Sequence, residues 1–271
     1  MSKNNVIVLG IHYGHDSGAA IVQNGKVLAA INEERIRNIK HYAGIPSKSI
    51  SEVIKISKID PSQIDLISIV GILDVEKKPN QIDTIYADLY FTWNPITVHK
   101  QGANCFIAYN ERFRKLTELK KELSQLGISS KQILFVDHHM AHAASAYYLS
   151  PWDISEEVLI FTADAAGDGL SSTVNFGKKG KIERLENSEN LYYDSLGYCF
   201  YDEITYFLGM RPNDHAYKVM GLAPYGESNK CIDKIKTIID IDKQNNLKFK
   251  NKLNNFQPFI HEQLKDLLDH Q

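Results

Sequence analysis

Residues 6–31 read VIVLGIHYGHDSGAAIVQNGKVLAAI, and this stretch decides the architecture. Val6–Ile11 is a short apolar, β-branched run suited to a buried strand. Gly18–Gln23 and Lys26–Ile31 are two more such runs. Asn24-Gly25 between them is the strongest two-residue hairpin signal, because a type I′ turn needs positive φ at both central positions. The chain is therefore expected to open with three strands, the last two antiparallel.

Moving outward, Ser47–Ser57 reads as a helix capped by Ser47, with Ile50, Val53, Ile54 and Ser57 on one face. Leu66–Ile72 reads as a buried strand. Residues 74–104 lack a clear period and are rich in aromatics (Tyr86, Tyr90, Phe91, Trp93). They suit either an irregular insertion near a site entrance or a packed surface excursion. Phe106–Leu126 has helical spacing with many charges, as a long surface helix does. Gln132–Val136 follows as a strand, His138–Leu149 as an alanine-rich helix and Val158–Ala163 as a strand. Leu170–Phe176 and Lys181–Leu185 are expected to form a hairpin around Gly177-Lys178-Lys179-Gly180, and Asp194–Leu208 a helix. Beyond about Ser228 lysine and asparagine dominate, which predicts a peripheral or partly ordered segment. No internal repeat of 20–50 residues is evident. The resulting order, β-β-β-α-β-α-β-α-β and then a second hairpin, is that of an α/β protein. A hairpin-rich start feeding helix–strand units is the topology of the actin-like, ribonuclease-H-like (ASKHA) superfamily.

Composition narrows the partners. The 271 residues are 43% apolar and 24% charged, with a net charge of −2, so nothing favours nucleic acid or an anionic membrane. No apolar run approaches the roughly 20 residues that span a bilayer. Val6–Leu9 is too short for the core of a signal peptide. Three widely spaced cysteines, Cys105, Cys199 and Cys231, form no C-x-x-C pair, which argues against a disulfide framework or a cysteine metal site. A reducing, cytoplasmic setting is expected.

Four constellations carry chemistry. The turn from Gly10 to Ala20 holds His15-Asp16-Ser17 among glycines that let backbone N–H groups approach an anion. His15 beside Asp16 suits a general acid or base, since imidazole titrates near neutral pH; the same Asp and Ser also suit a plain turn that satisfies its own backbone. Next, Asp137-His138-His139-Met140-Ala141-His142-Ala143 opens a helix. His138 and His142, four apart, share one face as two ligands of one metal would, while His139 points about 100° away. Surface histidines are the alternative. Then Asp164-Ala165-Ala166-Gly167-Asp168-Gly169, ahead of Ser171-Ser172-Thr173, places acids past a strand and hydroxyls in a phosphate-facing turn; a plain acidic turn fits equally. Carboxylate with imidazole suits Fe(II), Mn(II) or Zn(II) without choosing among them. Finally, Lys218-Val219-Met220-Gly221-Leu222-Ala223-Pro224-Tyr225-Gly226 reads as a lysine ahead of a Gly- and Pro-punctuated loop around a ligand, or as a structural turn. Glu33-Glu34-Arg35 and Lys40-His41 suit an ion-paired rim or contact with an anionic substrate, though as isolated charges they are mostly solvated surface.

Together the Gly10–Ala20 turn, Asn32-Glu33-Glu34-Arg35, His138–Ala143, Asp164–Gly169 and Lys218–Gly226 resemble the O-carbamoyltransferases of nodulation-factor and antibiotic biosynthesis, the NodU/CmcH family. The resemblance runs in family order from residue 6 to about 226. It implies an actin-like domain, similar to the tRNA threonylcarbamoyl transferase, which binds a metal and a nucleotide. A YrdC-like domain in such enzymes makes carbamoyl-adenylate from carbamoyl phosphate and ATP. The first domain passes the carbamoyl group to a hydroxyl of a sugar or natural-product acceptor. By position, His138, His142 and Asp164 would be ligands of a divalent metal, Fe(II) before Zn or Mn, with His15 and Asp16 catalytic. Gly167, Asp168, Gly169, Ser171, Lys218 and Gly221 would hold ATP or carbamoyl-adenylate. Residues 1–227 would then be a partial actin-like domain and 228–271 a peripheral segment, with no YrdC-like domain. A chain of this length is expected to be a fragment or one half of a split enzyme, completed by a separate C-terminal subunit or in a homodimer. The competing readings are an actin-like ATPase or sugar kinase, which the histidine helix argues against, and a non-catalytic metal-binding remnant.

Overall fold

The computed structural model describes residues 5–71, 116–128, 131–168, 170–191, 194–212, 214–252 and 266, without the side chains of 165, 166, 198 and 199. The 74–104 insertion, the first part of the helix expected from Phe106, Cys105 and Gly169 lie outside the described residues. The chain divides into two compact units, 1–141 and 142–271.

In the first unit, β1 (Ile7–His12), β2 (Gly18–Gln23) and β3 (Lys26–Asn32) form the expected antiparallel meander. Asn24 and Gly25 take φ of 51° and 78°, the positive pair that the Asn-Gly turn requires. The meander is extended on the other side of β1 by β4 (Leu66–Val70) and β5 (Gln132–Val136), both parallel. The sheet order is β3-β2-β1-β4-β5, a mixed sheet with β1 at its centre. Central β1 buries alternate residues Ile7, Leu9 and Ile11, the period-2 signature of one covered face. They share a core with Ile50 and Val53 of α2 (Ser47–Ser57) and with Leu116, Leu119 and Leu123 of α3, residues 116–125.

Helix α2 has the expected limits but not the expected cap. Ser47 is already helical, Pro46 precedes it, and no side chain at the cap position accepts a hydrogen bond. The first turn is capped instead by Glu33 of α1 (Glu33–Arg37): its carboxylate accepts from Ser49 N at 2.7 Å and Lys48 N at 3.2 Å. Glu33 is fully buried and paired with Arg37 Nε at 2.6 Å, so it is no part of a solvated rim. An anion at a helix N-terminus meets the partial positive charge and the orphan N–H groups there.

Helix α4 (His138–Tyr148) starts where β5 ends. In the second unit, β6 (Val158–Gly167), β7 (Leu170–Lys178) and β8 (Lys181–Arg184) form a further antiparallel meander, with β9 (Asn190–Leu191) on β7. Strand β6 runs four residues beyond the expected end, so Asp164 lies inside the strand and only Asp168 turns. Lys179 and Gly180, at φ of 50° and 73°, make the tight turn of the second hairpin. The expected single helix 194–208 begins instead as a π-type turn, Gly197–Tyr201, and becomes α5 over Asp202–Phe207. Lys218–Gly226 is not a loop: α6 (Ala216–Leu222) runs through Gly221, and a 3₁₀ turn (Ala223–Tyr225) takes Pro224 in its first positions, where the missing N–H costs nothing. After the short helix α7 (Ile232–Ile235), β10 (Ile239–Ile241) and β11 (Phe249–Asn251) pair as a hairpin. Asn251 N donates to Asp194 at 2.7 Å and Asn190 bonds the backbone of Phe249, so the hairpin of the lysine- and asparagine-rich segment is tied to β9 and to Asp194. Among the described residues no helix is long and apolar enough to cross a membrane.

Candidate functional site

Asp137 sets the start of α4. Its carboxylate accepts from Met140 N at 2.7 Å and its carbonyl from Ala141 N at 2.9 Å, which closes the first turn. From there the helical period sorts the histidines. His139, Ala143 and Tyr147, at i, i+4 and i+8, form the buried stripe, with His139 fully covered. His138 and His142 form the neighbouring stripe at the margin of that face. Tyr147 anchors the buried stripe, donating to Ile154 O at 2.9 Å and accepting from Gly180 N at 3.2 Å.

Strand β6 brings Asp164 to this margin: its Oδ2 lies 3.2 Å from His142 Nε2. His138, His142 and Asp164 each offer a ligand atom, and these atoms lie within 4.8 Å of one another. Two imidazoles and one carboxylate so converged match the donor set of a 2-His-1-carboxylate metal site. Asp164 and His142 are about one-third and one-half exposed, open enough for a further ligand to approach.

The β1–β2 turn carries the second set. His12 Nε2 bonds the carbonyl of His15 at 2.9 Å and so shapes the turn. Gly14 is needed here because a Cβ would fall 2.9 Å from the ring of His12. Burial holds the His12 imidazole below its ordinary value, helped by the neighbouring charges of His138 and His15, although the carbonyl bond works the other way. His12 is therefore a neutral brace. His15 is strongly exposed and bonds Asp16 through Nδ1 at 2.8 Å. Asp16 also bonds His41 Nδ1, at 2.9 Å. Asp16, Glu34 and His41 form a second group whose ligand atoms lie within 4.8 Å of one another.

The expected nucleotide-binding residues are placed less uniformly. Gly167 pairs with Leu170, and Asp168 is buried at a φ of 51°. Ser171 is buried and donates to Leu191 O at 2.9 Å, which commits its hydroxyl to β9. Lys218 and Gly221 lie on the exposed helix α6, where a Cβ at Gly221 would touch nothing. Reading by segment places His41 beside Lys40, at a rim or against an anionic substrate, and nothing local in the sequence announces its partner Asp16, 25 residues away.

Residues 7–268 match the family model described as Carbamoyltransferase N-terminus, and the chain belongs to that family. An uncharacterised protein of Synechocystis is 33% identical over 238 residues, covering 84% of this chain and 36% of the relative. Nodulation protein NolNO of Sinorhizobium fredii is 32% identical over 216 residues, covering 79% and 28%. An uncharacterised protein of Methanocaldococcus jannaschii is 28% identical over 236 residues, covering 86% and 36%. The chain thus spans about a third of the length of the curated relatives it matches.

Proposed function

We propose that this chain carries the acceptor and metal side of an O-carbamoyl transfer. In this reading carbamoyl-adenylate, formed from carbamoyl phosphate and ATP, gives its carbamoyl group to a hydroxyl of a sugar or natural-product scaffold. Membership of the carbamoyltransferase family supports the reaction class. The sheet order β3-β2-β1-β4-β5, with a meander on one side of β1 and parallel strands on the other, supports an actin-like domain. The observation that carries the proposal is the convergence of His138, His142 and Asp164.

Those three residues would hold a divalent metal, with Fe(II) favoured over Zn(II) or Mn(II). Bound there, the ion would supply a Lewis acid for the phosphate oxygens of the adenylate. The remaining chemistry falls to side chains. The acceptor oxygen attacks the carbamoyl carbon, its proton passes to His15 Nε2, the bond from that carbon to the phosphate oxygen breaks, and AMP leaves. Asp16, bonded to the other ring nitrogen, stabilises the imidazolium that forms. His12 stays neutral and holds the turn. Asp137 fixes the first turn of α4, and so the direction of both ligating imidazoles.

Metal content measured after purification and dialysis tests the proposal. One equivalent of Fe, Zn or Mn per chain is expected, with nearly complete loss in H142A and D164N and no loss in H15Q. Equal metal in the native chain, H142A and D164N overturns it.

A further inference from the structure

The β1–β2 turn and the segment that follows α1 are tied together by directed bonds. Ser17 N donates to Tyr42 O at 3.1 Å and Gly44 N donates to Gly14 O at 3.2 Å, so residues 42–44 clamp the turn 14–17. Within the clamp, Asp16 and His41 both hold left-handed backbone, each with φ of 54°. L residues adopt this conformation rarely, and a folded site retains it only where the surroundings over-determine it. His41 is held by its own backbone as well, because its N–H donates to Glu34 Oε2 at 3.0 Å. The two strained residues meet side chain to side chain, His41 Nδ1 against Asp16 Oδ1 at 2.9 Å. The other carboxylate oxygen takes His15 Nδ1 at 2.8 Å.

An ionised carboxylate has acceptors only, so a carboxylate bonded to two Nδ1 atoms requires a proton on each. That fixes His15 as the Nδ1–H tautomer, with the lone pair on Nε2 at the far side of the ring. We infer that His41 is a positioning residue: it locks the Asp16 carboxylate, and through Asp16 it fixes the tautomer and direction in which His15 presents Nε2 as base. This inference rests on the assignment of His15 as the base. The ionisation it needs agrees with the local electrostatics. Desolvation works against the Asp16 carboxylate, but the hydrogen bonds from His15 and His41 outweigh it and hold the group below its ordinary value.

The substitutions that decide the matter are a matched pair. Asn places Nδ2 where His places Nδ1, tolerates left-handed φ and keeps an N–H donor. Asp has the same shape and tolerates the same φ, but turns an acceptor toward Asp16. Long-range ¹H–¹⁵N imidazole spectra of the labelled chain near pH 8, with the His15 signals assigned by their absence in H15Q, read the tautomer directly. The native chain and H41N should both show the Nδ1–H form of His15. H41D should lose it, with kcat for carbamoyl transfer falling about tenfold or more and KM unchanged. An unaltered His15 tautomer in H41D overturns the inference. So does loss of the Nδ1–H form in H41N, which decides the question even if H41D fails to fold. A native chain whose tautomer responds as stated, but which transfers no carbamoyl group when supplied with carbamoyl-adenylate and a hydroxyl acceptor, overturns the proposed function, with His15 as its base, and leaves standing only the lock of His41 and Asp16 on the His15 tautomer.

Discussion

Replacing Glu33 by Gln removes one charge from a buried position while keeping the shape of the side chain. The carboxylate there accepts from Ser49 N, Lys48 N and Arg37 Nε, at 2.7, 3.2 and 2.6 Å, and has no exposed surface. A glutamine offers one carbonyl oxygen to these three donors and turns an NH₂ group against the rest. At least one buried donor loses its partner, at about 1–3 kcal/mol. Loss of the anion at the N-terminus of α2 adds about 0.3–1 kcal/mol. The expected cost of E33Q is therefore about 2–4 kcal/mol at pH 7, read from urea unfolding. E52Q, which alters an exposed pair 3.5 Å from Lys55, should cost less than about 0.5 kcal/mol. The difference also has a pH signature. Burial pushes the Glu33 carboxyl up, but the bonds from Ser49, Arg37 and Lys48 prevail and hold it below its ordinary value. A depressed folded value means that the stabilisation is complete above the unfolded pKa of about 4.3 and is lost as pH falls through the lower folded value. The gap between native and E33Q should thus be full at pH 7 and narrow below about pH 4. An E33Q chain within about 0.5 kcal/mol of native at pH 7, or a gap unchanged at pH 3, would refute this account of α2.

Two further perturbations probe the second unit. A Cβ at Gly177 would lie 2.6 Å from Tyr147 Cε2 and 3.0 Å from Val158 Cγ2, and Tyr147 is held at its hydroxyl, so G177A should cost about 1–3 kcal/mol and lower Tm in a thermal melt. On β6, Leu159 and Phe161 alternate outward at 67% and 51% exposure. L159K should reduce self-association in light scattering and leave the unfolding free energy within about 0.5 kcal/mol. F161K should cost about 0.5–1.5 kcal/mol, because its ring meets Phe249 at 6.1 Å.

What the sequence made legible follows the range over which each feature is determined. Asn24-Gly25 announces its hairpin because the turn is made by those two residues alone. His138 and His142 announce a shared face because a helix repeats its direction within four residues. Lys218–Gly226 misleads for the opposite reason. Gly221 and Pro224 are strong punctuation on average, yet here the glycine sits in a helical turn and the proline opens a new one, and both positions are permissive. Read by segment, that punctuation suggests a loop or a turn, whereas the chain continues through it as helix.

The carboxylates show where local reading stops. Asp16, Glu33 and Asp164 each sit in or beside a strand and take N–H donors from a distant element: His41 is 25 residues away, Ser49 is 16 and His142 is 22. Their residue types look alike in the sequence, and the donor decides what each becomes. Backbone amides at a helix start make Glu33 a buried cap. Two imidazoles on Asp16 make it the hinge of the proposed acid–base pair. An imidazole that shares a helix stripe with a second one gives Asp164 its place as third corner of the proposed metal site. A sequence rule that ranks acids by their neighbours scores Glu33 beside Glu34 and Arg35 as solvated rim, and pairs Asp164 with Asp168, from which the turn of β6 separates it. The informative variable is the element that follows each strand and which of its protons faces back toward the sheet.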